Sequence, residues 1–118
     1  MRYPGEVWYL PPEERAEGDF KWRRHVLLTP CNEQGDLGTF AYATTAAVEV
    51  GFGGAGVLVD PYANAYSHTG FSTRTYVMPC RLIPVISEDM HRMVGRIIDE
   101  MPAIRNELRR AIGLVWVL

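Results

Sequence analysis

The apolar runs of this chain are short, and most are closed by residues that cannot continue a hydrogen-bonded ladder. Val7, Trp8 and Leu10 are followed by Pro11-Pro12, the run from His25 to Thr29 ends at Pro30, and Val57-Leu58-Val59 ends at Asp60-Pro61. Proline lacks an amide hydrogen and holds φ fixed, so this punctuation limits the chain to short strands joined by turns. Glu6–Leu10, His25–Thr29, one long strand or two with a bend over 37–50, Val57–Val59 and Thr75–Leu82 read as strands. Asn32-Glu33-Gln34-Gly35-Asp36 supplies turn residues, and Glu13 to Asp19 forms an acidic loop. The glycine-rich segment 51–56 has neither the lysine nor the following helix of a phosphate cradle, and reads as a hairpin connection.

Helical signals come late. Ser87-Glu88-Asp89 has the form of a helix start, a serine cap with two acids in the first turn. Met90, Val94, Ile97 and Met101 follow at helical spacing and are expected to face the core. Pro102 then opens a second helical stretch, with Ile104, Leu108 and Ile112 on one face and Gly113 as the terminal cap. Strands followed by helices predict an α+β fold.

The chain has 118 residues, which suits one domain over 1–118 with a single core. Nearly half of the residues are hydrophobic, enough to fold without a metal or a disulfide. Cys31 and Cys80 are isolated, which argues against a zinc cluster, and neither a metal site nor a cofactor is expected. A net charge of −2 opposes indiscriminate nucleic-acid binding, so any such site must be a local patch. With no signal-like leader and no apolar run of membrane length, the expected location is the cytoplasm, away from membranes.

One such patch is visible. Lys21-Trp22-Arg23-Arg24 precedes an apolar strand, and a second strand, Phe40 to Thr44, runs into the paired hydroxyls Thr44-Thr45. Guanidinium groups and hydroxyls held together at strand ends can grip a phosphate from two directions. The same residues also suit a solvated strand entrance and ordinary β-formers. Trp22, Tyr62, Tyr66 and Phe71 are candidate stacking surfaces for unpaired bases, or lids over the core. His68 lies in a polar loop from which it can reach a substrate, while alternation turns His25 to the face opposite Arg24.

The order of elements resembles the PemK/MazF family of toxin ribonucleases. Tyr3-Pro4-Gly5-Glu6-Val7-Trp8 is similar to that family's opening strand, Arg23-Arg24-His25-Val26-Leu27-Leu28 to its arginine strand, Phe40 to Thr45 to its threonine-serine strand, and Gly70 to Val77 to a later segment. Trp22, His25 and Arg74-Thr75 stand where the family carries glycine, proline and an aspartate-serine pair. A looser resemblance links the ending Leu108 to Leu118, with Trp116, to the tail of the CcdB gyrase poisons, which share the barrel.

What the resemblance implies is a small SH3-like antiparallel β-barrel with C-terminal helices, active as a metal-independent, sequence-selective endoribonuclease in a toxin-antitoxin pair. Arg24 would then stabilise the phosphorane, Thr44 would orient the phosphate and Asp19 would serve as the loop acid, with Glu17 as the other candidate. Lys21, Trp22, Arg23, Thr45, His68 and Phe71 would contact RNA. The implied partners are single-stranded RNA, a cognate antitoxin and a second copy of the chain. The alternatives are a gyrase-directed poison and an inactive barrel used as a binding module.

Overall fold

A computed structural model describes residues 1–11, 23–45, 56–63 and 68–117. Six strands form one sheet: β1 (Glu6–Leu10), β2 (Arg23–Leu27), β3 (Leu37–Thr44), β4 (Val57–Val59), β5 (Thr75–Ile86) and β6 (Arg92–Arg96). Their order across the sheet is β4-β5-β3-β2-β1-β6, and every pairing is antiparallel. Among the described residues there is one α-helix, α1 (Met101–Val117), which packs against β5. The result is a small β-rich α+β domain whose sheet curls into a half-barrel.

Both faces of the sheet are covered, which explains why β2 reads as a continuous apolar run. Val7, Val26, Ala41, Ala43 and Val77 bury one face together with Ile97 and with Met101 and Ile104 of α1. Their chain neighbours Trp8, Leu27 and Phe40 point the other way and bury the second face with Leu10, Cys31 and Met90. Cys31 is a free, buried thiol.

The curl has two visible causes. Between Ala41 and Tyr42 the β3–β5 register jumps, from Ala41↔Leu82 to Tyr42↔Met78, which leaves an excess of residues on β5 and bends it. Pro79 falls inside this irregularity, where no ladder bond is required of it. Pro84 is tolerated for a different reason. It faces Thr39, whose C=O accepts from Leu28 N–H (2.8 Å) and whose N–H donates to Thr29 Oγ1 (3.1 Å), so Thr39 bonds away from β5. Two prolines thus fit inside a strand that runs four residues beyond the Thr75–Leu82 expected from sequence.

The second cause is a clamp between β6 and the loop leading to β5. Arg96 N–H donates to His68 O at 2.8 Å, and Gly95 lies so close that a Cβ there would strike the backbone of Thr69 and Gly70. Gly70 itself has φ +80°, a region that favours glycine. One edge of the sheet is therefore tied to the segment that enters β5 near the other edge.

Three expectations for the C-terminal third are corrected. The predicted helix from Ser87 through Met101 is a single 3-10 turn, Ser87–Asp89, followed by strand β6. Ser87 does not cap a helix: its buried hydroxyl lies 2.8 Å from Asn32 O and 2.9 Å from Asp36 O and accepts from Asp36 N–H at 3.1 Å. Residues 92–96 instead complete the outer edge of β1, from Glu6↔Arg96 to Tyr9↔Arg92, because a ladder partner outweighs a weak helical preference. Met90 and Ile97 are buried, but from a turn and a strand end rather than a helix face.

There is accordingly one C-terminal helix rather than two. It continues through Gly113 to Val117, so Gly113 is not its cap, and an isolated interior glycine costs a helix only about 1 kcal/mol. Asp19, Glu17, Lys21, Trp22, Tyr66 and residues 46–50 of the predicted long strand lie outside the described residues.

Candidate phosphate-binding site

β2 and β3 are neighbours in the sheet, and their register, Val26↔Ala41 and Leu27↔Phe40, brings the start of β2 beside the end of β3. There a cleft of about 200 Å³ opens, lined by Arg23, Arg24, Ala43, Thr44, Thr45, Phe71, Ser72, Thr73 and Thr75. Because the cleft sits over strand ends rather than over one face, consecutive residues of both strands reach it. Two arginines and five hydroxyl-bearing residues line it, and by alternation Arg24 belongs to the face of Val26 and Ala43 while Thr44 belongs to the face of Phe40, so the two approach the cleft from opposite sides of the sheet end.

Arg24 is the least ordinary member. Its Cζ lies 5.2 Å from the ring centroid of Tyr9, its partner on β1. Its Nε is buried without a hydrogen-bond partner, and among the described residues no carboxylate pairs with its guanidinium. Nature rarely leaves such a donor unmet, since a buried unsatisfied donor costs about 1–3 kcal/mol. A donor held in this state by an aromatic ring beside an open cleft is suited to an anion that arrives from outside.

The hydroxyls opposite are rigidly placed. Thr44 and Thr75 are both buried, and Thr75 is paired across the ladder with Val59. Thr75 donates from Oγ1 to Thr73 O at 3.0 Å, and Phe71 N–H donates to Thr69 Oγ1 at 3.2 Å, so local turns fix the Phe71–Thr75 wall. Tyr62 donates its hydroxyl to Ser72 O at 2.8 Å while its ring stays 76% exposed, leaving an aromatic surface at the cleft rim.

Of the residues singled out from sequence, Arg23, Arg24, Thr44, Thr45 and Phe71 line the cleft. His68 does not: it is exposed and contributes its carbonyl to the β6 clamp. His25 is 5% exposed, sits edge-on to Tyr42 at 5.9 Å and lines a separate apolar cavity of about 390 Å³ with Leu10, Ile83 and Val85. Arg74 points away and pairs with Asp60 at 3.2 Å, joining the end of β4 to the start of β5. Ser72, Thr73 and Thr75 are additional lining residues. Their signal in the sequence is a run of hydroxyls directly upstream of an apolar strand, the same pattern that marks Thr44-Thr45 from the other direction.

Among the described residues no carboxylate or imidazole lines the cleft, and no three His, Cys, Asp or Glu side chains gather as a metal site. No described helix is long and apolar enough to cross a membrane. Compared with known proteins, the chain matches no protein-family model and no curated sequence.

Proposed function

We propose that the cleft binds the phosphodiester of single-stranded RNA and that the chain is a metal-independent endoribonuclease of the PemK/MazF kind, acting as the toxin of a toxin-antitoxin pair in the cytoplasm. The observation that carries this reading is the buried, unpartnered Nε of Arg24 in a recess walled by Thr44 and Thr75. Arg24 serves as the cation for the phosphorane formed when the 2′-hydroxyl attacks phosphorus, and its planar fork suits two equatorial oxygens. Thr44 holds the phosphate in line, with Thr75 beside it. Proton transfer falls to Asp19, as the resemblance implies. Phe71 and the exposed ring of Tyr62 provide surfaces on which unpaired bases can stack.

The rest of the reading follows the same resemblance: an SH3-like completion of the half-barrel, an antitoxin, and a homodimer. Exposed Leu37, Leu82 and Ile86 on β3 and β5 offer apolar area for the dimer contact. Sedimentation at micromolar concentration should find a dimer, and a monomer alone would remove that part of the proposal.

A second reading is favoured by one specific observation. The described lining of the cleft holds cations and hydroxyls but no group that transfers protons at neutral pH, a composition sufficient for binding without cleavage. Incubating the purified protein with long single-stranded RNA in EDTA separates the two. Discrete cuts bearing 5′-hydroxyl and cyclic phosphate ends support the enzyme, saturable binding of intact RNA supports the binding module, and the absence of both cleavage and binding rejects the cleft as an RNA site.

A further inference from the structure

A tyrosine ring at a protein surface is ordinarily free to turn, but Tyr62 is tied down at both ends. Its backbone N–H donates to Asp60 Oδ1 at 2.9 Å, and its hydroxyl donates to Ser72 O at 2.8 Å. The same Asp60 accepts from Arg74 Nε through Oδ2 at 3.2 Å, and its carbonyl accepts from Ala63 N–H at 3.2 Å, which closes the turn after β4. Two cross-links thus join this turn to the segment Ser72–Arg74, one through the tyrosine and one through the carboxylate that holds it. Ser72 and Thr73 line the cleft, so the ring begins at the cleft wall.

Fixing a side chain costs rotamer entropy, which burial usually offsets. Burial does not offset it here, since Tyr62 is 76% exposed. An ordered aromatic face left open beside a cationic cleft is a preformed surface for a flat ligand group, with part of the ordering cost already met before binding. The charges at this rim agree. Arg74 is paired with Asp60, while the Arg24 Nε stays unmet within the cleft. A ligand that brings an anion to Arg24 and a flat ring to Tyr62 is a nucleotide; a free phosphate or a phosphorylated serine brings only the first.

Hydrogen bonding limits what Tyr62 can read. The single proton of its phenol is committed to Ser72 O, so the hydroxyl offers no donor to a base edge. What it presents is a π-face, and preferences on such a face follow stacking strength, which favours the larger purine rings.

We infer that Tyr62 is the stacking floor of a base subsite beside the Arg24 cleft, held in place by Asp60 and Ser72, and that it gives the site a preference for a purine next to the bound phosphate. The subsite presupposes the reading of the cleft as a single-stranded RNA site and adds to it the base beside the phosphate. Asp60 touches no ligand and acts as a positioning residue.

The test uses the full chain and three uncleavable probes with one phosphate each, titrated by calorimetry: 2′-O-methyl dinucleotides of adenosine and of uridine, and an abasic dinucleotide. The parent should bind the adenosine probe about tenfold tighter than the abasic one, the scale of stacking one base on an aromatic ring, with uridine between them. Tyr62→Ala should bring the three probes within about twofold of one another and leave abasic affinity within about twofold of the parent, whereas Tyr62→Phe, which keeps the ring, should keep the order of the probes. Asp60→Ala should reduce the adenosine advantage about threefold with abasic affinity unchanged, a split that a general loosening of the wall would not produce. Equal weakening of all three probes by Tyr62→Ala overturns the inference, because the tyrosine then supports the wall at Ser72 instead of stacking. An adenosine advantage that survives Tyr62→Ala overturns it too, and assigns the base to another surface. A parent that binds all three probes alike overturns the base subsite and leaves the phosphate cleft standing. A parent that binds none of them removes the RNA reading and the subsite together.

Discussion

Replacing Arg24 by methionine separates a functional cation from a structural one. Methionine keeps an unbranched apolar stem of similar length and removes the guanidinium. The folded chain then sheds a buried Nε that has no partner, a relief of about 1–3 kcal/mol. Against this stands the lost stacking on Tyr9, Cζ to centroid 5.2 Å, which contributes about 0.5–2 kcal/mol. The two nearly cancel, with a balance between about 1 kcal/mol destabilising and about 2.5 kcal/mol stabilising. For a chain of this size about 4 °C in melting temperature corresponds to each kcal/mol, so Arg24→Met should melt between about 4 °C below and about 10 °C above the parent. The same protein should lose RNA cleavage by about two to three orders of magnitude, the scale of one missing charge-stabilising donor. Urea titration and thermal melts read the first quantity, and cleavage of long RNA in EDTA reads the second. A loss of more than about 2 kcal/mol with RNA binding intact would refute the reasoning, because it would mean that the guanidinium holds the fold rather than a ligand.

Gly95→Ala should destabilise the chain by about 1–3 kcal/mol in urea, since its Cβ meets the backbone of Thr69 and Gly70, and should weaken oligonucleotide binding by displacing the wall at Phe71–Thr73. Phe40→Ala, at a fully buried site, should cost about 3–5 kcal/mol by chemical denaturation. Asp36 titrates below the ordinary 3.8 because Asn32 and then Leu37 amides donate to it, and Glu88 below 4.5 because the Gly35 amide does. Lowered carboxylates stabilise the fold fully above those ordinary values and lose the contribution as pH falls through the lowered ones. Asp36→Asn with Glu88→Gln should therefore flatten the acid limb of stability below about pH 4.5 in urea melts, leaving an unchanged limb as the contrary result.

Local chemistry was enough to place β1 and β4 at their observed limits, because prolines and turn residues fix strand ends without reference to anything distant, whereas β2 runs Arg23–Leu27, two residues ahead of the His25–Thr29 that Pro30 suggests, because its ladder partners on β1 reach back to Arg23. It also singled out Arg24 and Thr44, since the end of one strand and the start of another each carry polar residues in a single run, but it is the β2–β3 ladder that sets both at one cleft. Residues 87–100 were different. Their apolar spacing at Met90, Val94 and Ile97 suits a helix, and only the unpaired edge of β1 makes 92–96 a strand. Likewise Pro79 and Pro84 argue against a long β5 until the register jump and the outward-turned Thr39 excuse them. The Arg81 guanidinium over the Tyr42 ring was invisible in the chain order, because the two residues stand thirty-nine positions apart and a bulge, not a motif, brings them together. Composition and punctuation decide what a segment prefers by itself; a ladder partner far along the chain decides what it becomes when that preference is worth less than a row of hydrogen bonds.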